Sequence, residues 1–189
     1  QNREMGGQFS MHMWTSITVG FIFAFPFILW EIWKFISPAL YEKEKKYAAS
    51  FIIISSFLFF IGVLFGYYLI APLSVQFFAS YIVSPEISNS IDIDSYISLM
   101  KTSAIASGLL FELPIIIFFL SKMGLVNPEF LRKYRKYTLV IVLILSAIIT
   151  PPDVISQVIV AIPIMILYEV SILISVLVVR SQEREKLKA

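Results

Sequence analysis

The chain has 189 residues, of which 58% are hydrophobic, 15% aromatic and only 15% charged, with a mean hydropathy of +0.84. Soluble domains average about 45–50% apolar and about 25% charged, so this balance excludes a soluble domain, and intrinsic disorder needs the opposite bias. With no cysteine, a single histidine (His12) and a net charge of +2, disulfide frameworks, thiolate metal sites and a nucleic-acid partner fall away; a membrane protein without catalytic chemistry, cofactor or metal is expected.

A spanning helix needs about 20 mostly apolar residues to cross ~30 Å of hydrocarbon. The first uncharged run, Phe9 to Trp30, has 22 residues and gives one span, 9–30. The segment after it reads Glu31-Ile-Trp-Lys-Phe-Ile-Ser-Pro-Ala-Leu-Tyr-Glu-Lys-Glu-Lys-Lys46. Its aromatics (Trp33, Phe35, Tyr41) ordinarily form an interfacial belt. Its acids, Glu42 and Glu44, are not required by a basic loop. A carboxylate beside an aromatic face suits a guanidinium, which it can bond twice while the ring stacks.

The second run, Tyr47 to Val83, has 37 residues without a charge. That is about 55 Å of helix, too long for one straight crossing. Pro72 divides it into a span, 47–70, and a kinked or amphipathic continuation outside the membrane.

A third span, 95–121, carries Lys101 near one end and Glu112 well inside, within Gly108-Leu-Leu-Phe-Glu-Leu-Pro114. A mid-membrane carboxylate costs about 2.5–3.5 kcal/mol on insertion scales, so Glu112 should face protein or water. Pro114 has no N–H, which frees the carbonyl near Leu110 and bends the helix. Two readings stay open: a carboxylate on a concave, partly hydrated face, or a hydrogen-bonded tie between helices.

The fourth run, 137–150, would reach only about 21 Å. It ends at Pro151-Pro152-Asp153, which neither continues a helix nor belongs in lipid. The fifth, 154–179, is interrupted by Pro163 and Glu169. Asp153 is placed to cap the last helix, and Gln157, four residues on, shares its face. Glu169 falls closer to the interface, where a solvated carboxylate is the ordinary reading.

Charge tests the count. Of the 15 cations, 13 fall between spans one and two, between spans three and four, or in the tail; the opposite face carries Glu86, Asp92, Asp94 and Asp153. The positive-inside rule makes the basic loops and the C-terminus cytoplasmic and puts the N-terminus of this chain outside. An N-terminus stranded there suggests that at least one upstream span is absent. Protease chemistry finds no support, since there is no Gly-x-Ser-x-Gly and the aspartates fall in outer loops. A proton- or cation-coupled small-solute transporter using Glu112 is the alternative function.

Four segments now resemble one family. Phe35-Ile-Ser-Pro-Ala-Leu-Tyr-Glu-Lys-Glu-Lys-Lys46, Phe111-Glu-Leu-Pro114, Phe130-Leu-Arg-Lys-Tyr-Arg-Lys-Tyr137 and Thr150-Pro-Pro-Asp-Val-Ile-Ser-Gln157 look like TatC, the multi-spanning receptor subunit of the twin-arginine protein translocase. The resemblance covers the chain from about Phe9 to about Val179 and has these motifs in order. It implies an all-α, glove-shaped polytopic bundle with a concave face in the bacterial cytoplasmic (inner) membrane. Five spans fall in this chain against six in the family. It also implies binding of twin-arginine signal peptides on folded cargo, recruitment of single-span TatA- and TatB-type partners and other copies of itself, and export driven by the proton-motive force. Carried over by motif, Glu44 and Phe35 contact the signal, with Tyr41 and Glu42 beside them. Glu112 is the buried acid offered to a partner's transmembrane helix, with Gln157 and Glu169 as further polar contacts. Pro151, Pro152 and Asp153 form the outer turn, important for assembly. The upstream segment that is absent contributes to recognition in the family, so the site read here is incomplete.

Overall fold

A computed structural model describes residues 6–36, 48–81, 92–151 and 153–186, and every regular element among them is helical. In chain order these are α1 (Gly7–Ile36), α2 (Ala48–Phe65), a π turn (Gly66–Ile70), α3 (Ala71–Ser80), α4 (Ile93–Phe111), α5 (Leu113–Lys122), α6 (Pro128–Lys133), α7 (Arg135–Ile149) and α8 (Val154–Lys186). Among the described residues four stretches are long and apolar enough to cross a membrane: Gly7–Phe35, Ser50–Ser80, Ile93–Lys122 and Val154–Arg184. The short run expected as a further crossing is the 15-residue α7, about 22 Å long. The chain divides into two compact units, Gln1–Gly108 and Leu109–Ala189.

In the first unit, α1 lies along α2. Their seam is aromatic: Phe25 stacks on Phe59 with ring centroids 3.5 Å apart and planes 11° apart, and Leu29 completes the buried cluster. Trp33 closes the end of the seam against Phe51, at 5.0 Å. Hydropathy places the end of the first span at Trp30, but the helix runs on to Ile36. No breaker stands between Trp30 and Ser37-Pro38, and Glu31 and Lys34, three residues apart, form an ion pair of 2.7 Å on its surface. Glu31, Trp33, Lys34 and Phe35 are therefore helical rather than parts of a loop.

The rod beginning at Ala48 does not stop at Pro72. It widens to a π turn at Gly66–Ile70 and continues as α3 to Ser80, with αR geometry on both sides of the turn. Pro72 is the second residue of α3, directly after the π turn, where the Ala71 N–H already bonds the Gly66 carbonyl five residues back. The turn coincides with a close helix approach: a Cβ on Gly66 would fall 2.2 Å from the Ser103 carbonyl oxygen of α4. Gly108 meets the Phe59 ring in the same way, at 2.7 Å.

In the second unit, α5, α6 and α7 all pack on α8. A buried cluster of Ile117, Leu131, Tyr168 and Ile172 holds α5 and α6 there. The bend between α5 and α6 is a Schellman cap: Gly124 takes φ +73°, its N–H bonds the Ser121 carbonyl at 3.1 Å, and the Leu125 N–H bonds the Leu120 carbonyl at 3.0 Å. Asn127 then caps α6 by accepting from the Phe130 N–H at 2.7 Å, with Pro128 in its first turn.

Gly66→Ala is expected to lower stability by about 1–3 kcal/mol, because a methyl driven into backbone cannot be relieved by rotamer change. Gly20→Ala, with open space around it, serves as the control and should be neutral or slightly stabilising. Thermal unfolding of the purified chain in detergent reads both.

Candidate functional site

Phe35 occupies the last turn of α1 and is 87% exposed, the most open of the large apolar side chains among the described residues. An unshielded ring beside the exposed Lys34 is free to meet a ligand. Tyr41, Glu42 and Glu44 lie outside the described residues, so of the expected recognition group the geometry speaks only for Phe35.

Glu112 is only 6% exposed and stands at the junction of α4 and α5. Pro114, second in α5, removes the N–H that would bond the Leu110 carbonyl, and the chain tightens here as a result. The Glu112 N–H reaches back three residues to Leu109 at 3.2 Å, and the Glu112 carbonyl accepts from both Ile115 and Ile116 at 3.0 Å. A buried carboxylate is thus fixed at a helix break, with φ −77° and ψ −4°.

Gln157 and Glu169, the other polar residues expected within the bundle, have partners elsewhere in the second unit. Gln157 donates through Nε2 to the Leu143 carbonyl at 2.8 Å, which pins α8 to the middle of α7. Glu169 accepts from an Arg135 guanidinium nitrogen at 2.6 Å, with the two side chains 45% and 50% exposed. Twelve residues of helix, about 18 Å, separate Gln157 from Glu169, so the two do not converge on one centre.

Backbone and side-chain hydrogen bonds close both sides of the turn between α7 and α8. Thr150 ends α7 by donating its N–H and its hydroxyl to the Ser146 carbonyl, both at 2.8 Å, and Pro151 is buried. Asp153 accepts the Ser156 N–H at 2.9 Å, a cap at the third residue of α8. Pro152 lies outside the described residues. The hydrogen bonds from Ser156, backbone first, hold the Asp153 carboxyl below the usual aspartate range.

Sequence reasoning missed three residues on one face of α8. Tyr168, Ser175 and Gln182 recur every seven residues. The Tyr168 hydroxyl donates to the Leu131 carbonyl at 2.8 Å, Ser121 bonds Ser175 at 2.8 Å between hydroxyls, and Gln182 donates to the Lys122 carbonyl at 2.9 Å. The heptad spacing of these three among the polar residues of α8 was the available signal.

A family model described as "Sec-independent protein translocase protein (TatC)" matches residues 1–163. This chain belongs to the TatC family. It is 46% identical over 175 residues to the TatC of Blattabacterium sp. subsp. Periplaneta americana, covering 93% of this chain and 66% of that protein. It is 41% identical over 157 residues to TatCy of Bacillus subtilis, covering 83% of this chain and 62% of that relative. The chain therefore spans less than two thirds of either relative's length. A crystal structure of the twin arginine translocase receptor TatC in DDM superposes with a TM-score of 0.77 at 37% identity, covering 93% of this chain and 78% of that one. The all-helical architecture is thus the family's.

The Asp153 cap has a pH signature. Its lowered folded-state value means that its contribution is complete above the ordinary aspartate range and is lost as pH falls through the lowered value. Asp153→Ala is expected to reduce the unfolding temperature at neutral pH, and the gap from the unaltered chain should close below about pH 4. A gap that persists unchanged into stronger acid would show that the charge is not what caps α8.

Proposed function

We propose that this chain is the signal-peptide-binding core of a twin-arginine translocase, exporting folded proteins across the bacterial cytoplasmic membrane with the proton-motive force. The observation that carries the reading is membership of the TatC family along most of the chain, together with a relative whose solved structure is described as the translocase receptor. In this reading the basic loops and the C-terminus face the cytoplasm, as the distribution of cations supports.

Recognition is guanidinium chemistry. Glu44 accepts two parallel N–H bonds from one arginine of the signal, Glu42 lies two residues away to neutralise the other, and Phe35 and Tyr41 offer faces for stacking. Lysine cannot reproduce the planar pair of hydrogen bonds, which explains a preference for paired arginines. The burial of Glu112 at a helix break supports a second role, in which its carboxylate meets a polar group on the transmembrane helix of a TatA- or TatB-type partner. Gln157 and Glu169, engaged with the Leu143 carbonyl and with Arg135, hold α7 on α8 rather than join that contact, and the Pro151-Pro152-Asp153 turn sets the assembly geometry at the outer surface.

The first test is a photo-crosslinking probe at Phe35 or Tyr41 in membranes containing the full-length protein, presented with an Arg-Arg signal peptide or its Lys-Lys counterpart. Crosslinking to the Arg-Arg peptide alone is expected; no crosslink to either in folded protein would reject the receptor assignment. Glu44→Ala should weaken binding of the Arg-Arg peptide about tenfold or more, the loss of a charge-assisted pair.

Glu112→Ala should leave signal binding largely intact and impair partner assembly or export. Normal partner complexes together with normal export would reduce the carboxylate to a structural tie.

A further inference from the structure

The corner between α6 and α7 is a cationic and aromatic surface that neither signal recognition nor the Glu112 contact uses. Residues 132–137 read Arg-Lys-Tyr-Arg-Lys-Tyr, and all six are exposed. The rings form a continuous row: Phe130 and Tyr134 are 4.4 Å apart between centroids, and Tyr134 and Tyr137 are 5.6 Å apart. Among the described residues Arg135 is the only one of the four cations with an ion pair, to Glu169. Arg132, Lys133 and Lys136 have none.

The corner is held rigidly from behind. Leu131 is buried in the cluster with Tyr168, its carbonyl takes the Tyr168 hydroxyl, and Asn127 caps the start of α6. Lys136 also lies in the first turn of α7, where the helix dipole disfavours a cation, and no acid stands in that turn to offset it. An external anion would relieve this.

The rest of α7 says which anion. After Tyr137, residues Ile141, Ile144 and Ile148 recur along one line of the helix, and all are exposed. Charge and tyrosine hydroxyls thus sit at the head of an exposed apolar strip, which is the profile of an acidic phospholipid site. The interfacial preference of tyrosine puts the row of rings at headgroup depth.

We propose that Arg132, Lys133 and Lys136, with the row Phe130, Tyr134 and Tyr137, bind the phosphodiester headgroup of an anionic phospholipid whose acyl chains lie against Ile141 and Ile144. The site requires only that α7 enters the bilayer, and it stands whether or not the chain binds signal peptides.

The test uses the purified full chain in neutral detergent, with thermal unfolding followed on addition of phosphatidylglycerol, phosphatidylcholine or soluble glycerol 3-phosphate. Phosphatidylglycerol should raise the unfolding temperature, and the other two should not. Electrostatic attraction is worth roughly a fivefold change in affinity per surface cation. The triple variant Arg132→Gln, Lys133→Gln, Lys136→Gln should therefore weaken phosphatidylglycerol binding on the order of 100-fold. The double variant Arg180→Gln, Arg184→Gln, which removes cations from α8, should bind as the unaltered chain does.

Equal stabilisation by glycerol 3-phosphate would overturn the proposal in favour of a free-anion site. Undiminished lipid binding by the triple variant would overturn it too, and loss of a co-purifying protein in that variant would mark the corner as a protein dock instead. A benzophenone side chain in place of Tyr137 gives a readout independent of the triple variant's folding. It should crosslink to phosphatidylglycerol in mixed vesicles, and crosslinking to phosphatidylcholine alone would also reject the site.

Discussion

Hydrocarbon offers no hydrogen bonds, so each backbone N–H and carbonyl at membrane depth must be answered from within the protein. The exclusively helical elements of this apolar chain follow from that constraint, and so do the places where its helices end. At Glu112 the chain cannot complete its ladder because of Pro114, and it compensates with a three-residue step to Leu109 and a shared carbonyl acceptor. At Thr150 one carbonyl, that of Ser146, takes both the backbone and the hydroxyl donor. At Lys122 the Schellman cap of Gly124 answers the inner carbonyls, and Gln182 answers that of Lys122 from α8. Polar chemistry thus gathers at the breaks, where the backbone needs help, and the buried carboxylate belongs to one of them.

The second unit shows how a single long helix can organise several short ones. Polar contacts between membrane helices average only about 0.6 kcal/mol, since the separated helices also find partners. The bonds from Tyr168, Ser175 and Gln182 therefore add less to stability than the burial of Ile117, Leu131 and Ile172 around them. Their effect is on register. A hydroxyl that must meet the Leu131 carbonyl, with another that must meet Ser121 one heptad further on, allows one sliding position of α5 and α6 along α8 and penalises the next. Small side chains such as serine also let the helix backbones approach, which apolar packing alone would not define.

Much of this was legible in the sequence, and what was not has physical reasons. Hydropathy and proline located the apolar segments, the Glu112 break and the outer turn, and an acid just before an apolar run identified the Asp153 cap. Hydropathy reports a solvent preference rather than a helix end, so it stopped α1 at Trp30 although the turns through Ile36 obey the same helical rules. The widening at Gly66–Ile70 was hidden, because a π turn depends on the partner that approaches it, here the Ser103 backbone. The ties between Ser121 and Ser175, 54 residues apart, and between Tyr168 and Leu131, 37 apart, belong to tertiary packing and leave only a faint period in α8. At the recognition loop, residue chemistry alone does not separate Glu42 from Glu44. That choice came from the motif, and both residues lie outside the described part of the chain.

Counting charges gave the right kind of surface but treated its members alike. Arg135 and Glu169 are each about half exposed, and such a pair is worth about 0–1 kcal/mol in stability. Its consequence is again one of orientation. It anchors the first turn of α7 to α8 and removes one cation of the four from the field that the corner presents. Glu169, which composition alone would assign to solvent or to the bundle interior, is thereby committed to arranging the basic surface. Among the described residues the three cations that remain differ from Arg135 in having no ion pair, and topology rules based on totals cannot make that distinction. A positive-inside bias requires cations on one face; it does not require that one be neutralised while its neighbours, interleaved with tyrosines, are left open.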